Sequence, residues 1–380
     1  MSSPTQLEYR CYNILSMKVA LVCDWLTVPG GAEKVLLAVH QMFPDAPIYT
    51  SKYDKKGIDW FSDADVRTGW LQIFPSKLRR LIAPLRQIYF NHLDLSKYDL
   101  IISVTGAEAK SIKKGNATHI CYCHVPTQYY WQMYDDYIKN PGFGFLNPLA
   151  RLGLKLGVKP LRKADFKASQ RPDYFVTISS YAADMIKKYY KRDAVVIAPP
   201  VEVEKFHNNK TGKRHGFVNF SRQVSWKRQD LIVKACLKAN KEVTLVGEGP
   251  EHAQLVALAK GSSLIHFIPF SKPDKLRELA ATSEAFIFPS QEPFGIAPVE
   301  ALAAGCPVIA FKQGGALDYV HEGKNGAFFE KQSTTSLAKT LESFDGSKYK
   351  REEIVRSADF YSVDEFKRKL QELIDEKMAK

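Results

Sequence analysis

Short apolar runs, each closed by proline, glycine or a polar turn and followed by a helical window, recur along this chain from Lys18 to Phe311. That alternation restricts the fold to parallel sheets covered by helices. The clearest unit is Glu284–Val320, EAFIFPSQEPFGIAPVEALAAGCPVIAFKQGGALDYV. Ala285–Phe288 has strand length and stops at Pro289. Ile296–Ala304 reads as a helix and Pro307–Phe311 as a second buried strand, the layout of a βαβ crossover.

The same reading predicts strands at Lys18–Asp24, Pro47–Thr50, Asp65–Thr68, Asp99–Thr105, Thr118–Cys123, Asp173–Ser179 and Ala194–Ala198 in the first half. In the second half it predicts them at Gly216–Phe220, Glu242–Val246 and Leu264–Ile268 as well. Helices are expected at Ala32–Phe43, Leu78–Phe90 (kinked or broken at Pro84), Ser180–Tyr190, Gln229–Lys238, Glu251–Lys260, Pro273–Ala281, Ser333–Phe344 and Val363–Lys377. A chain of 380 residues is too long for one core and divides into two domains. Residues 1–16 read as an extension, with Met1 or Met17 as the start; residues 17–205 form the first domain and 206–360 the second, with a polar linker at His207–His215.

No apolar run reaches the length of a membrane-spanning helix, and no secretory signal is expected. The cysteines (Cys11, Cys23, Cys121, Cys123, Cys236, Cys306) form no disulfide framework, so a reducing, cytoplasmic setting is expected. Cys121-Tyr122-Cys123-His124 lacks the second ligand pair that zinc needs. The net charge of +13 is uneven, with Lys+Arg clustered at Lys77–Arg86 and Arg151–Lys167 among leucines. These stretches suit an anionic membrane surface or anionic acceptor, or else form a solvated basic face. No nucleic-acid motif accompanies the charge, so nucleic acid is not an expected partner.

Glu292 and Glu300 are two acids in otherwise apolar surroundings, and carboxylates there need partners. Between them Phe294-Gly295-Ile296 opens a helix whose unpaired N–H groups favour a phosphate-bearing or hydroxyl-rich ligand. By spacing alone, Glu292 is equally readable as a capping acid and Glu300 as a rim residue. Upstream, Arg222 and Lys227 in SRQVSWKR bring two cations to a strand end, a fit for a diphosphate or simply a basic turn. Gly30-Gly31 stands between a strand and a helix N-terminus, and His124 emerges at a strand's carboxyl end, where open α/β sheets bind ligands. Asp63-Ala64-Asp65 matches a D-x-D metal pattern but lies in a polar turn.

The run EPFGIAPVEALAAGCPVIA closely resembles the donor-site signature of retaining glycosyltransferases of family 4. SRQVSWKR resembles that family's diphosphate clamp, and HVPTQYYW its mannosyltransferase-like branch, with Val125 and Gln128 departing from the branch pattern. The resemblance implies a GT-B fold, two Rossmann-like parallel-sheet domains facing each other across a cleft, with residues 361–380 as a helix crossing back to the first domain. It implies that Glu292 holds the transferred sugar, Glu300 the ribose, Arg222 and Lys227 the diphosphate, and Phe294, Gly295 and Ile296 the donor. It puts His124 beside the sugar and Gly30 and Gly31 at the reaction centre. No cofactor or metal is expected. The implied activity is metal-independent, front-face transfer of a hexose, mannose from GDP-mannose, to a saccharide or lipid-linked saccharide at the inner membrane face. The alternatives are a non-hydrolysing nucleotide-sugar epimerase of the same architecture and a basic, non-catalytic membrane- or nucleic-acid-binding protein.

Overall fold

A computed structural model of the chain describes residues 17–76, 82–139, 144, 147–207 and 213–379. The extension at 1–16, with Cys11, and residues 208–212 of the His207–His215 linker lie outside the described residues. Contacts divide the chain into two compact units. One comprises residues through Ile197 together with those from Leu370 onward; the other is Ala198–Lys369.

The first unit holds a seven-stranded parallel sheet in the order β3-β2-β1-β4-β5-β6-β7. Its strands are β1 (Val19–Cys23), β2 (Ile48–Thr50), β3 (Val66–Thr68), β4 (Leu100–Thr105), β5 (Thr118–Cys123), β6 (Tyr174–Thr177) and β7 (Val195–Val196). β1, β2 and β4 are buried along their whole length, as strands covered on both faces are, which is why they read as unbroken apolar runs. The chain order reverses beside β1: β2 lies on one side of it and β4 on the other. This is a switch point, and ligands of open α/β sheets bind outside the strand ends at such a place.

The second unit holds a six-stranded parallel sheet ordered β10-β9-β8-β11-β12-β13. These are β8 (Phe217–Phe220), β9 (Val243–Val246), β10 (Ile265–Ile268), β11 (Ala285–Phe288), β12 (Val308–Phe311) and β13 (Gly326–Phe329). Its switch point falls between β8 and β11, which pair directly. Leu231, Ile232, Val243, Leu245, Ile287 and Leu337 belong to one buried cluster joining this sheet to its helices.

Most predicted elements agree with the structure to within one or two residues at each end, and four places differ. The predicted helix at Leu78–Phe90 begins at Ala83, so Pro84 sits in its first turn, where a missing N–H costs nothing, and makes no kink there; residues 77–81 lie outside the description. The basic stretch Arg151–Lys167 lies within one 23-residue helix, Asn147–Ser169, that the sequence reading did not assign. In the Gly/Pro-rich stretch 141–148, residues 141–143 and 145–146 lie outside the description, and the helix has begun by Asn147. β13 and the helix Arg351–Asp359 were not anticipated either. The last helix is Val363–Met378, and within the first unit Lys377 Nζ lies 5.0 Å from the Tyr174 ring centroid. No helix among the described residues is long and apolar enough to cross a membrane.

On β5 of the first sheet, His119 is fully buried with Nε2 2.7 Å from Ser103 Oγ and no partner on Nδ1 among the described residues. Burial pushes its pKa down to about 3, so the ring is neutral in the fold. Unfolding restores an ordinary value near 6.5, and the unfolded chain then binds the extra proton as pH falls. The stabilisation is complete above pH 6.5 and is lost as pH drops towards 3, at about 1.4 kcal/mol per pH unit. Urea midpoints between pH 7 and pH 4 should show this slope, and His119→Asn should flatten it.

Candidate functional site

In the second unit the residues after β8 and β11 come together. Glu292 lies in the turn that follows β11, and Lys227 closes a single 3-10 turn, Ser225–Lys227, after β8. Lys227 Nζ donates to Glu292 Oε2 at 2.6 Å, and Ser290 Oγ donates to Oε1 at 2.6 Å. The two charged side chains keep 24% and 19% of their surface, so the pair is half-buried and within reach of a ligand. Lys227, Ser290, Gly295, Ile296 and Ser221 line one small pocket at these strand ends.

The helix Ile296–Ala303 starts from Gly295, whose φ of 99° an L side chain rarely adopts. Gly295 supplies no side-chain cap, and among the described residues this leaves the first turn's N–H groups for an anion or hydroxyl. Phe294 is buried, and its carbonyl accepts from Tyr319 Oη at 2.9 Å. Glu300 is half-buried on the same helix. Arg222 is exposed beside the β8 end. The structure thus joins Lys227 and Glu292 directly at the helix entrance, with Arg222 exposed beside the strand end and Glu300 further along the helix.

Two supports of this site were not assigned by the sequence reading. Ser290 is one. The other is Gly315, whose N–H donates to the Glu292 carbonyl at 2.8 Å. A Cβ on Gly315 would stand 2.3 Å from the Pro293 carbonyl oxygen and 2.5 Å from Phe294 Cα, both backbone. Gly315→Ala should therefore displace the Glu292 turn and lower kcat/KM by about a hundredfold. Comparing its kcat/KM and melting temperature with those of the wild type checks this. The legible signal was the GGALD sequence inside the Glu284–Val320 unit, to which no role was given. The Gly247-Glu248-Gly249 turn similarly packs on the Arg222 loop: Gln223 N donates to Glu248 O at 2.9 Å, and a Gly249 Cβ would meet Gln223 O at 2.2 Å.

In the first unit His124 follows β5 and lines a cavity of about 810 Å³. Burial holds its pKa down to about 4, with nearby Asp24 opposing, so it acts as a neutral imidazole at pH 7. Its Nε2 is shielded and has no hydrogen-bond partner among the described residues. Gly30 caps the helix Gly31–Met42 without a side-chain bond, and both glycines stand one turn before Glu33, which lines the cavity. The Glu33 carboxylate lies 2.7 Å from where a Gly30 Cβ would be. That acid in the first turn makes the place suited to hydroxyls rather than to a phosphate.

Arg86, read as part of an exposed basic cluster, is 1% exposed. Its Nε donates to Glu108 Oε2 at 2.8 Å, and its guanidinium covers the Trp25 ring at 4.7 Å. It serves the cavity wall and not a basic surface. Asp24 is satisfied by Thr105 Oγ1 at 2.9 Å, Gly106 N at 3.0 Å and Ala109 N at 2.8 Å. Cys23, Cys121, Cys123, Cys236 and Cys306 are buried free thiols. Asp65 of the D-x-D pattern pairs with Arg67 at 2.6 Å, and among the described residues no cluster of three His, Cys, Asp or Glu could hold a metal.

Residues 200–360 match the family model described as glycosyl transferases group 1. The chain is 22% identical to the alpha-1,3/1,6-mannosyltransferase alg2 of Schizosaccharomyces pombe, over 86% of this chain and 73% of that protein. It is 30% identical to a GDP-mannose-dependent alpha-(1-6)-phosphatidylinositol monomannoside mannosyltransferase of Mycolicibacterium smegmatis, over 30% of this chain and 34% of the relative. The chain spans 31%, 51% and 50% of the length of the first three curated relatives it matches. Among solved structures it resembles Anabaena Alr3699/HepE in complex with UDP, with a TM-score of 0.69 at 18% identity, covering 95% of this chain and all of that one. That likeness shows the fold: two parallel-sheet α/β units of the GT-B class.

Proposed function

We propose that this chain is a retaining glycosyltransferase that moves a hexose, mannose from GDP-mannose, to a saccharide or lipid-linked saccharide acceptor without a metal ion. The observation that carries the reading is the Lys227–Glu292 pair at 2.6 Å, set at an uncapped helix start between adjacent strand ends. A departing nucleoside diphosphate gains negative charge, and a fixed ammonium there lowers the barrier most at the transition state. Arg222, exposed beside the same strand end, is the second cation for that charge. Glu292 binds the hydroxyls of the transferred sugar and offsets positive charge on its ring. Glu300 takes the ribose hydroxyls, and Phe294, Gly295 and Ile296 present backbone to the donor. His124, neutral at pH 7, serves as a hydrogen-bonding group for sugar or acceptor hydroxyls. The mannosyl reading draws on the names of the yeast and mycobacterial relatives.

Two features support a peripheral position at an anionic membrane. Leu149, Leu152 and Leu156 of the helix Asn147–Ser169 are 68%, 54% and 73% exposed. Arg151, Lys155 and Lys159 alternate with them along the helix, so cations and apolar groups are presented together.

The reading is tested by screening GDP-mannose, UDP-glucose, UDP-GlcNAc and UDP-galactose for turnover and thermal stabilisation. GDP at a hundredfold excess over its Kd should stabilise the fold by about 2.7 kcal/mol. Turnover of GDP-mannose with retention is the expected result. Stabilisation by none of the nucleotides, with turnover of none of the donors, would remove the reading.

A further inference from the structure

We infer that the 810 Å³ cavity of the first unit binds an apolar chain carried by the acceptor, so the acceptor is an amphiphile. The inference rests on the glycosyltransferase reading only for the word acceptor. The cavity's lining is mainly aliphatic and aromatic: Leu26, Leu36, Val104, Val125, Leu154 and Leu161 contribute to it. Its size lies within the range of pockets that enclose most of a small molecule.

The polar groups on the wall are largely engaged with one another. Asp24 holds Thr105 and two backbone N–H groups, and Arg86 holds Glu108, which also accepts from Tyr129 Oη at 2.5 Å. A sugar buried among them would leave hydroxyls without partners, at a cost an apolar chain does not incur. His124 is different: its Nε2 has no partner among the described residues, and its near neighbour Gln128 lines the same wall. Both belong to one short segment, so the hydroxyl-bearing head binds there and the chain fills the remainder.

The helix Asn147–Ser169 supplies the second line of evidence. Its buried residues are Val158, Asp165, Ala168 and Ser169, so none lies in its first half. There the inward stripe Ala150, Gly153, Leu154 faces the cavity and not a protein core. Gly153 weakens a helix interior, yet a Cβ on it would meet nothing within 4 Å. Gly153 is exposed and no packing among the described residues asks for a glycine there, which leaves room for a ligand lying along the helix. Exposed Leu152 and Leu156 and the cations of the same segment put it where an apolar chain could enter from a bilayer.

Trp25 lines the cavity and reports on the occupant. Dibrominated stearate, whose bromines quench nearby indoles, should quench the full-length protein's fluorescence saturably. Trp25→Phe should remove that component, and Gly153→Phe, which fills open space, should weaken it by about tenfold. In transfer assays Gly153→Phe should raise KM for dodecyl α-mannoside about tenfold more than for methyl α-mannoside. Should Gly153→Phe melt below the wild type, the wild-type and Trp25→Phe quenching curves decide alone. Absent or non-saturable quenching, or quenching untouched by Trp25→Phe, overturns the proposal, as does an equal KM change for the two mannosides. Saturable quenching in a protein that turns over no nucleotide sugar would keep the chain site and remove the transferase reading instead.

Discussion

Glu292→Ala should lower kcat/KM for hexosyl transfer by about a thousandfold while the protein stays folded. The carboxylate touches both Lys227 at 2.6 Å and Ser290 at 2.6 Å, so its loss removes the sugar's acceptor group and releases the ammonium meant for the diphosphate. The stability cost should be within about 1 kcal/mol, since Lys227 is half-buried and can turn to water once freed. Lys227→Ala should be similarly damaging. Because the two side chains act as one unit, the double variant should be little worse than either single one. Steady-state kinetics with GDP-mannose, beside melting curves, separates these outcomes. Full activity in Glu292→Ala would place the chemistry elsewhere.

The largest loss of stability is expected at Asp165, a residue with no catalytic role in this scheme. Its side chain is fully buried and accepts from Lys110 Nζ at 2.6 Å, Thr127 Oγ1 at 2.8 Å, Trp131 Nε1 at 2.7 Å and Tyr190 Oη at 2.8 Å. Lys110 is itself 1% exposed, and the nearby Asp165 charge holds its pKa well above the ordinary value against the pull of burial. Asp165→Ala strands that ammonium without water or counter-ion, which should cost about 3–5 kcal/mol. It also releases Thr127 and Trp131, in the segment that carries His124 and Gln128. Replacing Lys110 with methionine in the same chain removes the stranded charge and should restore much of the loss. Urea unfolding of the two variants measures both effects. A single variant as stable as the wild type would show that this buried pair contributes nothing.

The strands were legible because each apolar run is bounded by residues that stop it: Pro289 after Ala285–Phe288, the polar turn after Phe217–Phe220, Asp24 after Val19–Cys23. The helix Asn147–Ser169 was not, since Gly153, Gly157 and Pro160 read as breaks and its outer leucines are not buried. Glu292 and Lys227 were each visible as residues, but their bond spans 65 positions.

Periodicity along the chain therefore determined the two parallel-sheet units, and short motifs marked where strand ends carry acids, cations and glycines. Which charges meet was decided only in three dimensions. Arg86 looks like a surface cation beside its neighbours, yet it is buried because Glu108, 22 positions away, lies opposite it. Ser290 and Gly315 support Glu292 for the same reason. Local sequence records how often a side chain faces the core, whereas the partner of a buried charge is set by segments that only folding brings together.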